Sequence, residues 1–92
     1  MNEQVKAVEL TVTGNVTGVG FRQWAQREAT RLGVGGWVRN NVDQTVSMEV
    51  EGPPEQVATF IELVRRGPEP EMVEDVRESD TEAHGYSAFS IE

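Results

Sequence analysis

The chain has 92 residues, a formal net charge of −8 at pH 7, a sequence pI near 4.6 and no cysteine. This length suits one domain, residues 1–92, with a single modest core. The acidic balance lacks the basic footprint of a nucleic-acid-binding protein, and the absence of cysteine excludes disulfides and thiolate chemistry. Because no apolar run approaches membrane-spanning length and the first residues do not resemble a secretory signal, we expect a cytoplasmic protein that does not bind a membrane.

The basic residues are almost all arginines. Lys6 is the only lysine among the eight lysines and arginines. Two interpretations of this pattern are open: an ordinary acidic surface encoded by a GC-rich genome, or adaptation to high salt, which screens the repulsion between like charges.

Apolar periodicity predicts the elements of the first part of the chain. Residues 5–13 alternate between apolar and polar side chains, which is typical of a strand with one buried face. A glycine-rich loop follows over residues 14–20. Residues 21–32 carry apolar side chains at three- and four-residue steps, which predicts a helix that Gly33 ends.

The second part of the chain contains a hairpin, a helix and two further strands. The remaining strands are predicted at 37–40, 45–51, 72–78 and 86–91. Residues 41–44 connect the first two as a hairpin. A second helix begins near Pro54, because proline in the first helical turn costs no hydrogen bond. Its apolar stripe consists of Val57, Phe60, Ile61 and Val64.

The element order is β-α-β-β-α-β plus a short C-terminal strand. This order predicts the α+β class and a ferredoxin-like split βαβ sandwich, in which a mostly antiparallel sheet carries two helices on one face.

The segment Gly14–Arg22, with the sequence Gly-Asn-Val-Thr-Gly-Val-Gly-Phe-Arg, joins the first strand to the first helix. Glycines allow successive backbone N–H groups to form a concave nest, and the helix start adds unpaired donors and the positive end of its dipole. Arg22 offers a planar fork that can bind two oxygens of one phosphate. The sequence therefore predicts a phosphate-binding site at this junction.

Several common phosphate chemistries do not fit. The loop lacks the Lys-Ser/Thr pair of a Walker A motif, and Gln23 stands where the dinucleotide motif needs a glycine. An aspartyl-phosphate enzyme would need a pair of aspartates at a strand end, and Asp43 stands alone in a hairpin. His84 is a single histidine without clustered partners, so we predict no metal site. The remaining candidates for the chemistry are Arg22, in the loop, and Asn40, at the end of a strand. Such a pair can hydrolyse a phosphoester or anhydride with a good leaving group by stabilising charge and holding a water molecule.

These residues resemble the acylphosphatase family. Gly14–Arg22 resembles its first signature, and Gly36–Asn40, with Asp43 just beyond, resembles its second. Gly67-Pro68 and Phe89–Ile91 also lie where that family has them, so the resemblance covers essentially the whole chain. It implies a monomeric enzyme without cofactors that hydrolyses small-molecule acyl phosphates, with inorganic phosphate as product and competitive inhibitor.

The resemblance also implies roles for particular residues. Arg22 would clamp the phosphoryl group and Asn40 would orient the attacking water, whose proton would pass to the substrate's own phosphate. The backbone cradle would comprise Asn15, Val16, Thr17, Gly18, Val19, Gly20 and Phe21.

The sequence departs from the family pattern at three positions. Asn15 stands where a basic residue is usual and Thr17 where glutamine is usual, so one local positive charge is missing. Gln44 replaces the glycine that usually follows the hairpin aspartate, and we expect a different turn there.

Other interpretations are open at this stage. The glycines could serve close packing only, Arg22 could pair with a surface carboxylate, and Asn40 could cap the hairpin turn. We expect Trp24 to be in the core and Trp37 to cover the helix-free face of the sheet. The domain also occurs in larger hydrogenase-maturation carbamoyltransferases, although this chain lacks their zinc-finger cysteines, and ferredoxin-like domains also serve as ligand-binding modules.

Overall fold

A computed structural model of the chain describes residues 4–18 and 20–92. It contains five strands and two helices in the predicted order. The elements are β1 (Lys6–Gly14), α1 (Phe21–Leu32), β2 (Gly35–Asn40), β3 (Val46–Gly52), α2 (Pro54–Arg66), β4 (Val73–Asp80) and β5 (Phe89–Ile91). Among the described residues, neither helix combines the length and apolar character that a membrane crossing requires.

The strands form one sheet in the order β4-β1-β3-β2-β5. Every neighbouring pair is antiparallel except β2 and β5, which are parallel. Leu10, Met48 and Val38 lie opposite one another across β1, β3 and β2, and all three are fully buried. The prediction of a mostly antiparallel, ferredoxin-like sheet is confirmed.

Both helices bury their apolar stripes against this face of the sheet. Helix α1 packs over β2 and β5, and α2 packs over β4, β1 and β3. Gly33 ends α1 in a left-handed conformation, as predicted. All four residues of the predicted α2 stripe are buried, namely Val57, Phe60, Ile61 and Val64. Trp24 is half-buried and packs against this core.

The strand bounds differ from the predicted ones by one to three residues. Two of these differences have a physical cause, in a close backbone contact at a glycine and in a remote carboxylate. β2 begins at Gly35, and a Cβ at Gly36 would overlap the Glu49 carbonyl oxygen, so these glycines belong to the strand rather than to a lead-in loop. The predicted strand over 86–91 is wrong in its first half, since only Phe89–Ile91 is a strand. The N–H of Tyr86 donates instead to Oε2 of Glu51 at 3.1 Å.

The topology brings three element ends to one edge of the sheet. β1 and β2 are both antiparallel to β3, so they run in the same direction and their C-terminal ends lie at the same edge. Helix α1 returns from the end of β1 to the start of β2, and its N-terminus therefore lies at that edge too. The glycine loop and Asn40 consequently lie at the same edge of the sheet, on two strands that β3 separates.

Candidate active site

The glycine loop is anchored to β4 at its beginning. Gly14 has a φ of 134°, and a Cβ there would overlap the Met72 carbonyl oxygen. The N–H of Asn15 donates to that same oxygen at 2.8 Å. The packing interpretation therefore holds for Gly14. The N–H of Asn15 is engaged within the fold, contrary to the expectation that it belongs to the anion cradle.

The middle of the loop is arranged differently. The Val16 side chain is fully buried and fixes the loop to the core. Gly18 does not have a positive φ, and a Cβ there would meet no heavy atom of the described residues within 4 Å. Neither backbone geometry nor packing requires a glycine at this position. Val19 lies outside the described residues.

The end of the loop forms the start of α1. Gly20 precedes the helix with a φ of 102°, a conformation that favours glycine, and no side chain caps the helix there. The Gly20 carbonyl oxygen accepts the N–H of Trp24 at 2.9 Å, which begins the helical hydrogen bonds. Phe21 is buried in the core, so only its backbone can serve the site. The N–H groups of a first helical turn lack partners within the helix and attract anions.

An open depression of about 270 Å³ lies over this loop and is lined by Thr17, Gly18, Gly20, Arg22 and Gln23. Arg22 forms no salt bridge with any carboxylate of the described residues. The alternative in which Arg22 pairs with a surface carboxylate therefore finds no support among the described residues. The sequence analysis did not propose Gln23 as a site residue. Its position next to Arg22 in the first helical turn could have indicated that it lines the depression.

Asn40 lies on the helix side of the sheet. It pairs with Val46, which pairs in turn with Val12, and both valines are fully buried. The Oδ1 atom of Asn40 is buried and accepts no hydrogen bond from the described residues. A buried acceptor without a donor typically costs about 1–3 kcal/mol. The turn is capped by Asp43, whose Oδ1 accepts the Thr45 N–H at 3.1 Å, so the capping interpretation of Asn40 is wrong.

The hairpin after Asn40 has a residue in the left-handed backbone conformation at position 44. We expected the loss of glycine at position 44 to change the turn, yet Gln44 has a φ of 72°, in the region that glycine favours. The hydrogen bonds from Thr45 to Asp43 lower the pKa of the Asp43 carboxyl below its ordinary value.

The neighbouring strand residues point away from the site. Trp37 donates through Nε1 to the Tyr86 hydroxyl at 3.1 Å, and the Arg39 guanidinium lies 4.8 Å from the centre of the Trp37 ring. Both therefore belong to the helix-free face, which confirms the prediction for Trp37. The His84 ring also lies outside the site, with Nδ1 3.5 Å from Oε1 of Glu49. No three His, Cys, Asp or Glu side chains within residues 4–18 and 20–92 are grouped so that they could hold a metal ion.

Comparison with known proteins identifies the family. The acylphosphatase family model matches residues 8–91. The chain belongs to the acylphosphatase family. An acylphosphatase from Nocardioides sp. is 49% identical over 85 residues, which are 92% of this chain and 86% of the relative. The relatives support hydrolysis of acyl phosphates as the activity of this enzyme.

Solved structures of similar proteins agree with the fold. The acylphosphatase from Bacillus subtilis superposes with a TM-score of 0.88 at 34% identity, covering 96% of this chain and 98% of that one. Full-length HypF, solved in a phosphate- and nucleotide-bound form, matches with a TM-score of 0.86 at 29% identity. That match covers 96% of this chain but 12% of HypF. The acylphosphatase fold is thus shared by a small enzyme and by one part of a larger protein.

Proposed function

We propose that this acylphosphatase hydrolyses small-molecule acyl phosphates with the loop 16–21, Arg22 and Asn40, without a metal ion. The loop N–H groups and the Arg22 guanidinium bind the phosphoryl oxygens and stabilise the charge that develops on them. Asn15 is left out of the cradle because its N–H donates to Met72. The enzyme acts as a monomer, and its product, inorganic phosphate, inhibits it competitively.

In the reaction, the oxygen of a water molecule attacks phosphorus while the bond between phosphorus and the carboxylate oxygen breaks. The carboxylate leaves with the bonding electron pair, and the proton of the water passes to a phosphoryl oxygen. Oδ1 of Asn40 accepts a hydrogen bond from this water and turns its lone pair toward phosphorus. Positioning of this kind can change a rate by about 10²-fold for a displacement near 1 Å.

One observation supports this mechanism above the others: the buried Oδ1 of Asn40, which has no donor among the described residues. It lies at the sheet edge that also carries the start of α1. Because this oxygen is buried, the Asn40 amide must turn toward the loop to accept a hydrogen bond from the attacking water. An amide that served only the turn would find its partner within the hairpin.

The first test is hydrolysis of benzoyl phosphate by the purified protein in the presence of EDTA, alongside Arg22→Ala. Arg27→Ala is the matched control, because Arg27 is exposed on the same helix outside the depression. We expect turnover to be unchanged by EDTA and in Arg27→Ala, and to disappear in Arg22→Ala, together with phosphate binding measured by titration calorimetry. Unchanged phosphate binding in Arg22→Ala would overturn the clamp, and loss of activity with EDTA would overturn the metal-free reaction.

A second test separates binding from water positioning. Asn40→Ala should lower kcat by about 10²-fold or more, while the inhibition constant of phosphate stays within about twofold of the original value. If phosphate affinity falls as far as kcat, Asn40 holds the phosphate rather than the water. If the protein binds phosphate but turns over no acyl phosphate at all, it is a ligand-binding module.

A further inference from the structure

The backbone that follows Asn40 is fixed by a closed turn. The N–H of Asn41 donates to the Thr45 carbonyl oxygen at 2.8 Å, and the N–H of Gln44 donates to the Asn41 carbonyl oxygen at 3.2 Å. Asn40 is the last residue of β2, so the conformation of this turn sets the direction in which its peptide leaves the strand.

A relay of side chains braces the same turn. Oδ1 of Asp43 accepts the Thr45 hydroxyl at 2.7 Å as well as the Thr45 N–H. The Thr45 hydroxyl oxygen in turn accepts Nδ2 of Asn41 at 2.9 Å. We call Asn41, Thr45 and Asp43 the hairpin relay. It ends on a carboxylate, and hydrogen bonds to an ionised group are shorter and stronger than neutral ones.

The turn needs this bracing because Gln44 is held in a left-handed conformation. A non-glycine residue in this region is disfavoured and persists only where its surroundings hold it. Asp43 and Thr45 are the two neighbours of Gln44 in the chain, and the hydrogen bonds between them span it. The relay therefore fixes the one strained position between Asn40 and β3.

The relay is tied to the helix-free side of the sheet, opposite the side that Asn40 faces. Nδ2 of Asn41 also donates to Ser47 at 2.7 Å, and Ser47 lies opposite Thr11 and Arg39, whose row faces the helix-free side of the sheet. Asn40 faces the helix side, as Val46 does. Any effect of the relay on the site must pass through the backbone at residues 40 and 41.

We propose that Asp43 and Thr45 are positioning residues, which fix the side chain of Asn40 for the reaction through the backbone of the turn. This inference rests on the proposed role of Asn40. It predicts that loosening the turn lowers the rate of hydrolysis while leaving phosphate binding at the loop intact, because the loop and Arg22 are held by β1 and α1 instead.

The experiment compares truncating and conservative variants at both positions. Asp43→Ala and Thr45→Val should each lower kcat for benzoyl phosphate by about tenfold, with the inhibition constant of phosphate unchanged. Asp43→Asn keeps an acceptor oxygen and Thr45→Ser keeps the hydroxyl, so both should restore most of kcat. Val42→Ala is the control, since Val42 is fully exposed at the tip of the same turn and should retain full activity.

A double-mutant cycle with Asn40→Ala separates this inference from the proposed function. If Asp43 acts through Asn40, Asp43→Ala should have no further effect on kcat once Asn40 is alanine. An equal loss in both backgrounds, or a parallel loss of phosphate binding, would overturn the positioning role and leave the role of Asn40 intact. If Asn40→Ala alone leaves kcat unchanged, the proposed function itself fails.

Discussion

Gly14 and Gly18 belong to one loop but obey different constraints. Gly14 has a φ of 134° and has no room for a Cβ against β4, whereas Gly18 lines the depression beside Arg22 and has open space where a Cβ would project. Only the first glycine is demanded by the fold. The second leaves room for a ligand to approach the backbone, which is what a phosphate cradle needs.

Alanine at these two positions should therefore have opposite effects. Gly18→Ala should change the free energy of unfolding by no more than about 0.5 kcal/mol but weaken phosphate inhibition at least about tenfold, because the methyl group occupies the depression. Gly14→Ala should lose about 2 kcal/mol or more of stability. Urea unfolding and phosphate inhibition of both variants check this. Unchanged inhibition in Gly18→Ala would contradict a phosphate cradle at this loop.

The β2–β3 hairpin carries a local cost at Gln44, whose φ is 72°. Gln44→Gly should raise the free energy of unfolding by about 0.5–1 kcal/mol, because relief of the left-handed conformation exceeds the added entropy of the unfolded chain. Val42→Gly is the control in the same turn. Since Val42 does not have a positive φ, its replacement should destabilise the protein. A stability of Gln44→Gly at or below that of the unchanged protein would refute the prediction.

The connection between β4 and β5 is held by a carboxylate of β3. Glu51 is 7% exposed, and its side chain accepts the N–H groups of His84, Gly85 and Tyr86 at 2.7, 2.9 and 3.1 Å. Consecutive N–H groups of this kind form an anion-binding concavity, here filled from within the chain. This contact fixes the approach of the chain to β5, which lies beside β2 in the sheet.

Glu51→Gln should destabilise the protein by about 2 kcal/mol or more, because an amide NH₂ group would face backbone donors in a buried site. Glu49→Gln, two residues away on the same strand, is the matched control. Glu49 accepts the Tyr86 hydroxyl at 2.8 Å and no backbone N–H of the described connection, so its replacement should cost less. Denaturant unfolding of both variants measures the two losses of stability. Equal decreases in the free energy of unfolding would contradict the role of Glu51.

At the scale of the whole molecule, the net charge of −8 opposes folding by self-repulsion. Molar KCl should therefore stabilise the protein at pH 7 by about 1 kcal/mol, or roughly 4–8 °C in the unfolding temperature. The same protein at pH 4.6 is the control, because its net charge is near zero there and the effect of salt should shrink. An unfolding temperature at pH 7 that is equal in dilute buffer and in molar KCl would refute both the repulsion and adaptation to high salt.

Local patterns of apolar and polar residues predicted the elements and the core. Period-two and period-3.6 patterns are local, so they predicted the first strand to within one residue at each end, over 5–13, and also the helix Phe21–Leu32 and the buried stripe of α2. The Gly14–Arg22 loop was recognisable for the same reason, because glycine and arginine chemistry at a strand-to-helix junction is encoded in adjacent positions. The assignment of Asn40 came from the family resemblance and remains a prediction.

Which polar groups are buried or hydrogen-bonded depends on residues that are remote in the chain, so it became visible in the folded molecule and not in the local patterns. Glu51 has the strand parity of a solvated residue, yet a segment more than thirty positions later covers it. The N–H of Asn15 donates to the Met72 carbonyl oxygen, and Oδ1 of Asn40 accepts no hydrogen bond from the described residues. The free-energy cost of burying a polar group depends on the groups that pack around it. Local sequence patterns do not predict which distant segments supply those groups.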